Sequence, residues 1–247
     1  MRFLLRRRVE PDPTHISVAC GGETFAIALR RRAASRRLTL RVSSATGTIV
    51  LTMPPGVSIE TARRFAEGQA GWIAARCARV PERIAFAPGA ILPLRGIPHR
   101  IAHEPGRRAA PAPALDPGGE PILLVRGEAD AVPGRIRRFL AASAAADLRV
   151  AVERYTAAIG IPARRVTIRD TRSRWGSCSA TGSLNFSWRL ILAPPIVLDY
   201  LAAHEVAHLE ELNHSPRFWA LLRNICPATD EAERWLKRHG NGLHRYG

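Results

Sequence analysis

The 247-residue chain is short of cysteine and methionine and has no long apolar run, and each shortage removes a class of protein from consideration. Its four cysteines, Cys20, Cys77, Cys178 and Cys226, stand far apart and form no Cys-x-x-Cys pair. That spacing argues against a disulfide framework and against a cysteine-rich zinc module, leaving reduced and mostly buried thiols. No apolar run approaches the roughly 18 residues that a membrane helix needs, so no membrane partner is expected. The opening MRFLLRRRVEPDP offers only Phe3 to Leu5 as an apolar patch before an arginine run, too little for a secretory signal, and the expected address is the cytoplasm. Lys237 is the single lysine, and Met1 and Met53 are the only methionines.

Acidic residues are scarce as well, 21 against 37 basic ones, for a formal charge of +16. Such an excess invites a nucleic-acid partner, because phosphate binding releases counterions. The arginines are nevertheless spread along the whole chain, densest at residues 5–8, 30–32 and 36–37. This fits a bias toward Arg, Ala, Pro and Gly with solvated arginines, so nucleic acid is not the favoured partner. Hydrophobic residues make up 46%, enough for a full core in one large domain or two small ones.

Two regions of different character follow. Residues 15–20, 24–30, 36–43 and 48–54 alternate like strands, with turn signals at Gly21-Gly22 and at 45–47, and they predict a small antiparallel sheet. Residues 58–80 read as one helix capped by Ser58, and short strands are expected at 89–94, 97–103 and 122–127. The proline- and glycine-rich stretch 104–121 reads as a surface loop or linker, and no internal repeat is evident. From 133 a long alanine-rich helix stops at Gly160, a strand is expected at 164–170, a turn-rich loop at 171–182 and a second strand at 183–192. The expected fold class is α+β, with a β-rich region over 1–130 and a metal-binding α+β domain over 131–247.

The chemistry concentrates in AAHEVAHLEELNHSPRFW, residues 202–219. On a helix running from Ile196 to about Leu212, residues four apart differ by about 40° of rotation and roughly 6 Å of rise. His204 and His208 therefore lean over one side and can grip one ion, while Glu205, about 100° around from His204, can reach a water on it. This is the His-Glu-x-x-His arrangement of zinc hydrolases. A catalytic zinc site wants three protein ligands and one open position. His214 is the best third donor, provided the backbone leaves helical geometry before it. Asn213, tolerant of a left-handed conformation, is expected at that exit, followed by Ser215 as cap and Pro216 at the start of the next helix. Asp230, Glu231 or Glu233 is the alternative third ligand. Cys178 is read as a buried thiol in preference to a metal ligand.

Residues 171–240 resemble the YgjP-like metal-dependent hydrolases, bacterial zincins related to the SprT-like proteases. RWGSC before the strand, HEVAH on the helix, NHSPRFW at the corner and the terminal WLKRHG carry the likeness. The resemblance implies a zincin-like fold in the C-terminal part, Zn2+ on His204, His208 and His214, and Glu205 as base. Metzincin proteases share the spacing of His214, but they place glycine where this chain has Glu211, and no methionine turn is present.

The expected function is hydrolysis by a zinc-activated water with Glu205 as general base, in a metallopeptidase. If residues 183–191 form the strand that pairs with an extended substrate, then Arg172, Arg174, Trp175 and Asn185 come near the cleft as candidate substrate-binding residues, and an arginine there could stabilise the oxyanion. Two alternatives stay open: a metal-dependent nucleotide phosphohydrolase, which the arginines would suit, and a nucleic-acid-binding protein with structural zinc.

Overall fold

The protein is described by a computed structural model over residues 13–43, 46–80 and 82–247. The arginine cluster at 5–8 and residue 45 of the second expected turn lie outside those residues. Backbone contacts divide the chain into two compact units, Met1–Pro81 and Glu82–Gly247.

In the first unit β1 (His15–Cys20) and β2 (Glu23–Arg31) form a hairpin. Gly21 and Gly22 close it at φ of 59° and 84°, the left-handed pair that a two-residue turn needs to match strand twist. Next come β3 (Thr39–Val42) and β4 (Ile49–Met53), in a sheet of order β1-β2-β4-β3. Two of its pairings are antiparallel, as the turns predicted, and β2 with β4 is parallel. Every second residue faces inward, Ile16, Val18, Phe25, Ile27, Ile49, Leu51 and Met53, against Ala62, Ala66 and Ile73. The helix predicted over 58–80 is two, α1 (Ile59–Gly68) and α2 (Ala70–Cys77), broken at Gln69 beside a low-propensity glycine. Ser58 caps the first by accepting from the Thr61 N–H.

The second unit opens with β5 (Ile91–Leu94), β6 (Ile97–Glu104), β7 (Ala112–Leu115) and β8 (Pro121–Arg126), in order β5-β6-β8-β7. Strand order and pairing senses copy those of the first sheet. Ile27 faces Ile49 in one and Arg100 faces Ile122 in the other, at the same sequence separation. A topological repeat therefore exists where no sequence repeat is evident. Strand β7 also lies inside the stretch expected to be a linker. Among the described residues it is an edge strand paired with β8 alone, and such a position tolerates Pro113.

Helix α3 (Val132–Ile159) follows, closed by Gly160 at φ 71°. Its stripe of Ile136, Leu140, Ala144, Leu148 and Val152 recurs every four residues and lies in the core. Strands β9 (Arg165–Arg169), β10 (Gly176–Cys178) and β11 (Ser183–Ser187) make a sheet of order β10-β11-β9. The strand expected to reach residue 192 stops at Ser187, whose Oγ accepts the Arg189 N–H and starts a 3-10 turn over Trp188–Leu192.

Helices α4 (Pro195–Ala207), α5 (Pro216–Ile225) and α6 (Thr229–His239) complete the unit. α4 packs on α3, α5, α6 and β10, and nine of its side chains, from Val197 to Ala207, are buried. A helix so enclosed is apolar on all sides, and a polar side chain on it needs a reason. The buried guanidinium of Arg189, 1% exposed, donates from Nε to Asp170 Oδ1 (2.9 Å) and from Nη1 to the carbonyls of Leu243 (3.2 Å) and Tyr246 (2.5 Å). It ties residues 243–246 to the 3-10 turn. Among the described residues no helix is long and apolar enough to cross a membrane.

Candidate metal centre

His204 occupies the last turn of α4 and His208 is its C-terminal cap residue, so the helix ends sooner than its apolar period suggested. The chain then turns sharply. The Leu209 N–H donates to Val206 O (2.9 Å), the Glu210 N–H to Ala207 O (3.2 Å) and the Ser215 N–H to Asn213 O (2.8 Å). The left-handed exit expected at Asn213 does not occur. Among the described residues Arg95 is the one non-glycine with positive φ, and the successive turns swing the chain round with no left-handed residue at Asn213. Ser215 caps α5 as expected, accepting the Phe218 N–H, and Pro216 follows at its start.

This corner brings His214 back over the end of α4. The three rings lie 4.7 to 5.0 Å apart, centroid to centroid. One donor nitrogen from each lies within 4.8 Å of the others, and Nε2 of His204 stands 3.0 Å from Nε2 of His214. Two nitrogens about 2.05 Å from a shared tetrahedral zinc would be about 3.3 Å apart, so the His204–His214 pair fits such an ion to within a few tenths of an ångström, and the His208 nitrogen lies close enough to complete the set. Buried Phe218 lies against all three rings at 4.5 to 5.0 Å.

The remaining ring nitrogens support this assignment. His208 Nδ1 faces the Glu211 carbonyl at 2.9 Å and His204 Nδ1 faces the Tyr200 hydroxyl at 3.3 Å. A ring whose Nδ1–H is held this way presents the Nε2 lone pair, the usual outer-shell arrangement of metal-binding histidines. Burial, then the neighbouring His208 and His214, pushes the His204 pKa down to about 3, and burial also lowers that of His208. Both rings are neutral at pH 7, the form that binds a cation.

Glu205 is 4% exposed. Burial raises its pKa to about 7 against the opposing pull of Arg174 and the Cys178 backbone N–H. The carboxylate rests directly on Gly176, where a Cβ would stand 2.7 Å from Glu205 Cγ and Cδ. Gly176 in RWGSC is therefore a site residue that the sequence reading missed, although the motif itself was the signal. Tyr200 and the Glu211 carbonyl were missed too, because nothing in a linear pattern separates an outer partner from an ordinary tyrosine or turn.

The four candidate substrate residues fare differently. Arg174 is close enough to act on Glu205, and Trp175 adjoins it in sequence but stacks on His244 at 4.7 Å. Arg172 is exposed and bears on His244. Asn185 lies on the strand between β10 and β9, where it accepts from Arg169 Nε (3.1 Å) and donates to Ser177 Oγ (3.4 Å). β11 is paired on both sides, so it cannot be the strand that takes an extended substrate. Within this sheet the edge beside α4 belongs to β10, whose Cys178 N–H is taken by Glu205.

The acidic alternatives are engaged elsewhere or absent from the cluster. Asp230 pairs with Arg223 and Glu233 with Lys237, and neither they nor Glu231 joins a metal-binding group among the described residues. Cys178 Sγ donates to the Ser179 carbonyl and is likewise outside that group.

A family model described as YgjP-like, metallopeptidase domain, matches residues 36–239. The crystal structure of the metallopeptidase zymogen of Pyrococcus abyssi abylysin is similar at 20% identity and a TM-score of 0.34, over 37% of this chain and 93% of that one. No curated protein matches. Because the family match runs from the end of the β2–β3 connection through the last residue of α6, and so takes in the histidine corner, Glu205 and Gly176, this chain belongs to the YgjP-like metallopeptidase-domain family and is a metal-dependent hydrolase of the peptidase class.

Proposed function

We propose that the protein is a zinc-dependent peptidase in which His204, His208 and His214 hold the ion and Glu205 is the general base, with residues 131–247 as the catalytic part. The convergence of three imidazoles, beside a carboxylate on an otherwise apolar helix, carries this reading. Zinc held there would supply a water of lowered pKa, near 7 instead of about 15.7. Glu205 is the residue that would take the proton from the attacking water. A carboxyl whose pKa lies near neutrality without metal is matched to accept a proton and return it to the leaving amine. Arg174 supplies positive charge near the carboxylate, and in this reading it would stabilise the developing oxyanion. An extended peptide adds to the edge of β10, which Gly176 keeps close to Glu205.

The test compares wild type with Glu205→Gln on an internally quenched peptide library, with metal content measured in parallel. Retained zinc with turnover lowered about 10²- to 10⁴-fold is the expected result. Unchanged hydrolysis at full metal occupancy would sink the assignment of the base.

A further inference from the structure

Two cavities of similar size flank α3, and their charges differ in kind. One, of about 480 Å³, is lined by Arg95 and Arg154, but Asp147 and Asp199 neutralise them within the same wall. The other, of about 520 Å³, is lined by Arg108, Arg135 and Arg138 together with Pro111, Phe139 and Ala142, and no carboxylate lines it.

Arg135 is the most constrained of the three, at 6% exposure. Its Nη1 and Nη2 donate to the carbonyls of Arg126 and Ala109, which orient the guanidinium without cancelling its charge. Gly127 makes room for it, since a Cβ there would stand 2.5 Å from Nη1. The group also sits at the N-terminal end of α3, where the helix dipole is positive and the first turn holds no acidic residue. Glu104, the nearby carboxylate on β6, is taken by Arg126. Among the described residues none of Arg107, Arg108, Arg135, Arg137 and Arg138 has a carboxylate within 4.0 Å. Burying a cation with no counter-charge is costly, and a bound anion removes that cost.

We propose that this cavity binds a phosphate-bearing small molecule. A di- or polyphosphate group lies across the three guanidiniums, and an apolar or aromatic moiety rests on Phe139 and Pro111. Guanidinium planes take phosphate oxygens in pairs, and three of them suit a multiply charged group better than a single carboxylate. The cavity shares no residue with the histidine corner and stands independently of the peptidase reading.

Calorimetric titration of the full chain with inorganic pyrophosphate and with ADP tests the proposal. Arg135→Gln risks the fold because it frees two carbonyls, so the deciding variants are Arg108→Glu and Arg138→Glu at the exposed mouth, with Arg165→Glu on β9 as a charge-matched control. Pyrophosphate binding weakened about tenfold or more by each mouth variant, and less than about twofold by the control, is expected from the loss of one charged hydrogen-bonding group. Absence of binding to wild type, or an equal loss in the control, overturns the site. Tighter binding of ADP, with the gain abolished by Phe139→Ala, supports the apolar platform, and equal binding of the two ligands overturns that part.

Discussion

Adding a single methyl group to Gly176 should stop this enzyme while leaving its metal in place. The Cβ of Gly176→Ala would fall 2.7 Å from Glu205 Cγ and Cδ, against the 3.4 Å of ordinary contact. Glu205 Oε1 would be nearer still, so the carboxylate must retreat by roughly 1 Å or β10 must move by as much. Backbone strain has no part in this, because the φ of Gly176 lies outside the left-handed region. Glu205 is buried on a helix packed on several sides, so the displacement cannot be absorbed by swinging into solvent. A misplacement of about 1 Å at a catalytic group costs about 10²-fold, and overpacking costs about 1 to 3 kcal/mol of stability. The assay is kcat on a peptide substrate with metal stoichiometry and melting temperature on the same preparation. A variant with kcat within about twofold of wild type would refute the idea that Gly176 seats Glu205. So would one that loses metal in step with activity.

Further expectations concern the histidine corner and the C-terminal segment. His214→Ala should lose metal on dialysis by more than the roughly 10- to 100-fold that removing an outer partner costs, read by elemental analysis; full occupancy would remove His214 from the ligand set. Tyr200→Phe, which withdraws the hydroxyl 3.3 Å from His204 Nδ1, should weaken metal affinity by up to about 10-fold with the fold intact, measured by chelator competition. His244 is held neutral, its pKa pushed down to about 4 by burial and then by Arg189. Between that value and the ordinary 6.5 the unfolded chain binds a proton that the folded chain does not, so stability falls as pH drops through this window and is unaffected above it. His244→Phe should flatten that fall, seen in urea midpoints at about pH 4.5 and pH 7.5, and an unchanged slope would contradict the argument.

The elements with a strong local signal were readable from residue order alone. The Gly21-Gly22 hairpin, the Ser58 and Ser215 caps and the Gly160 stop each depend on neighbours within four positions. So did the pairing of His204 with His208, since helix geometry alone joins them. What escaped were features decided by distant partners. Strand β10 is three residues long and exists because β11 lies beside it, and β7 is held by β8 despite its prolines. The parallel β2–β4 and β6–β8 pairings leave no periodic trace that distinguishes them from antiparallel ones. Asn213 has the right chemistry for a left-handed exit, but three successive tight turns achieved the same reversal.

The grip of Arg189 on Leu243 and Tyr246 sets an order of events during synthesis. This side chain leaves the ribosome more than fifty residues before these carbonyl acceptors do, and until then Asp170 is the hydrogen-bond acceptor already made. An interior cation with one half-exposed counter-ion is poorly tolerated, so the hydrophobic layer around the 3-10 turn cannot close early. The second unit therefore cannot complete its packing before residues 243–246 have emerged, and a truncation anywhere upstream of residue 243 should leave a collapsed, aggregation-prone intermediate instead of a shortened enzyme.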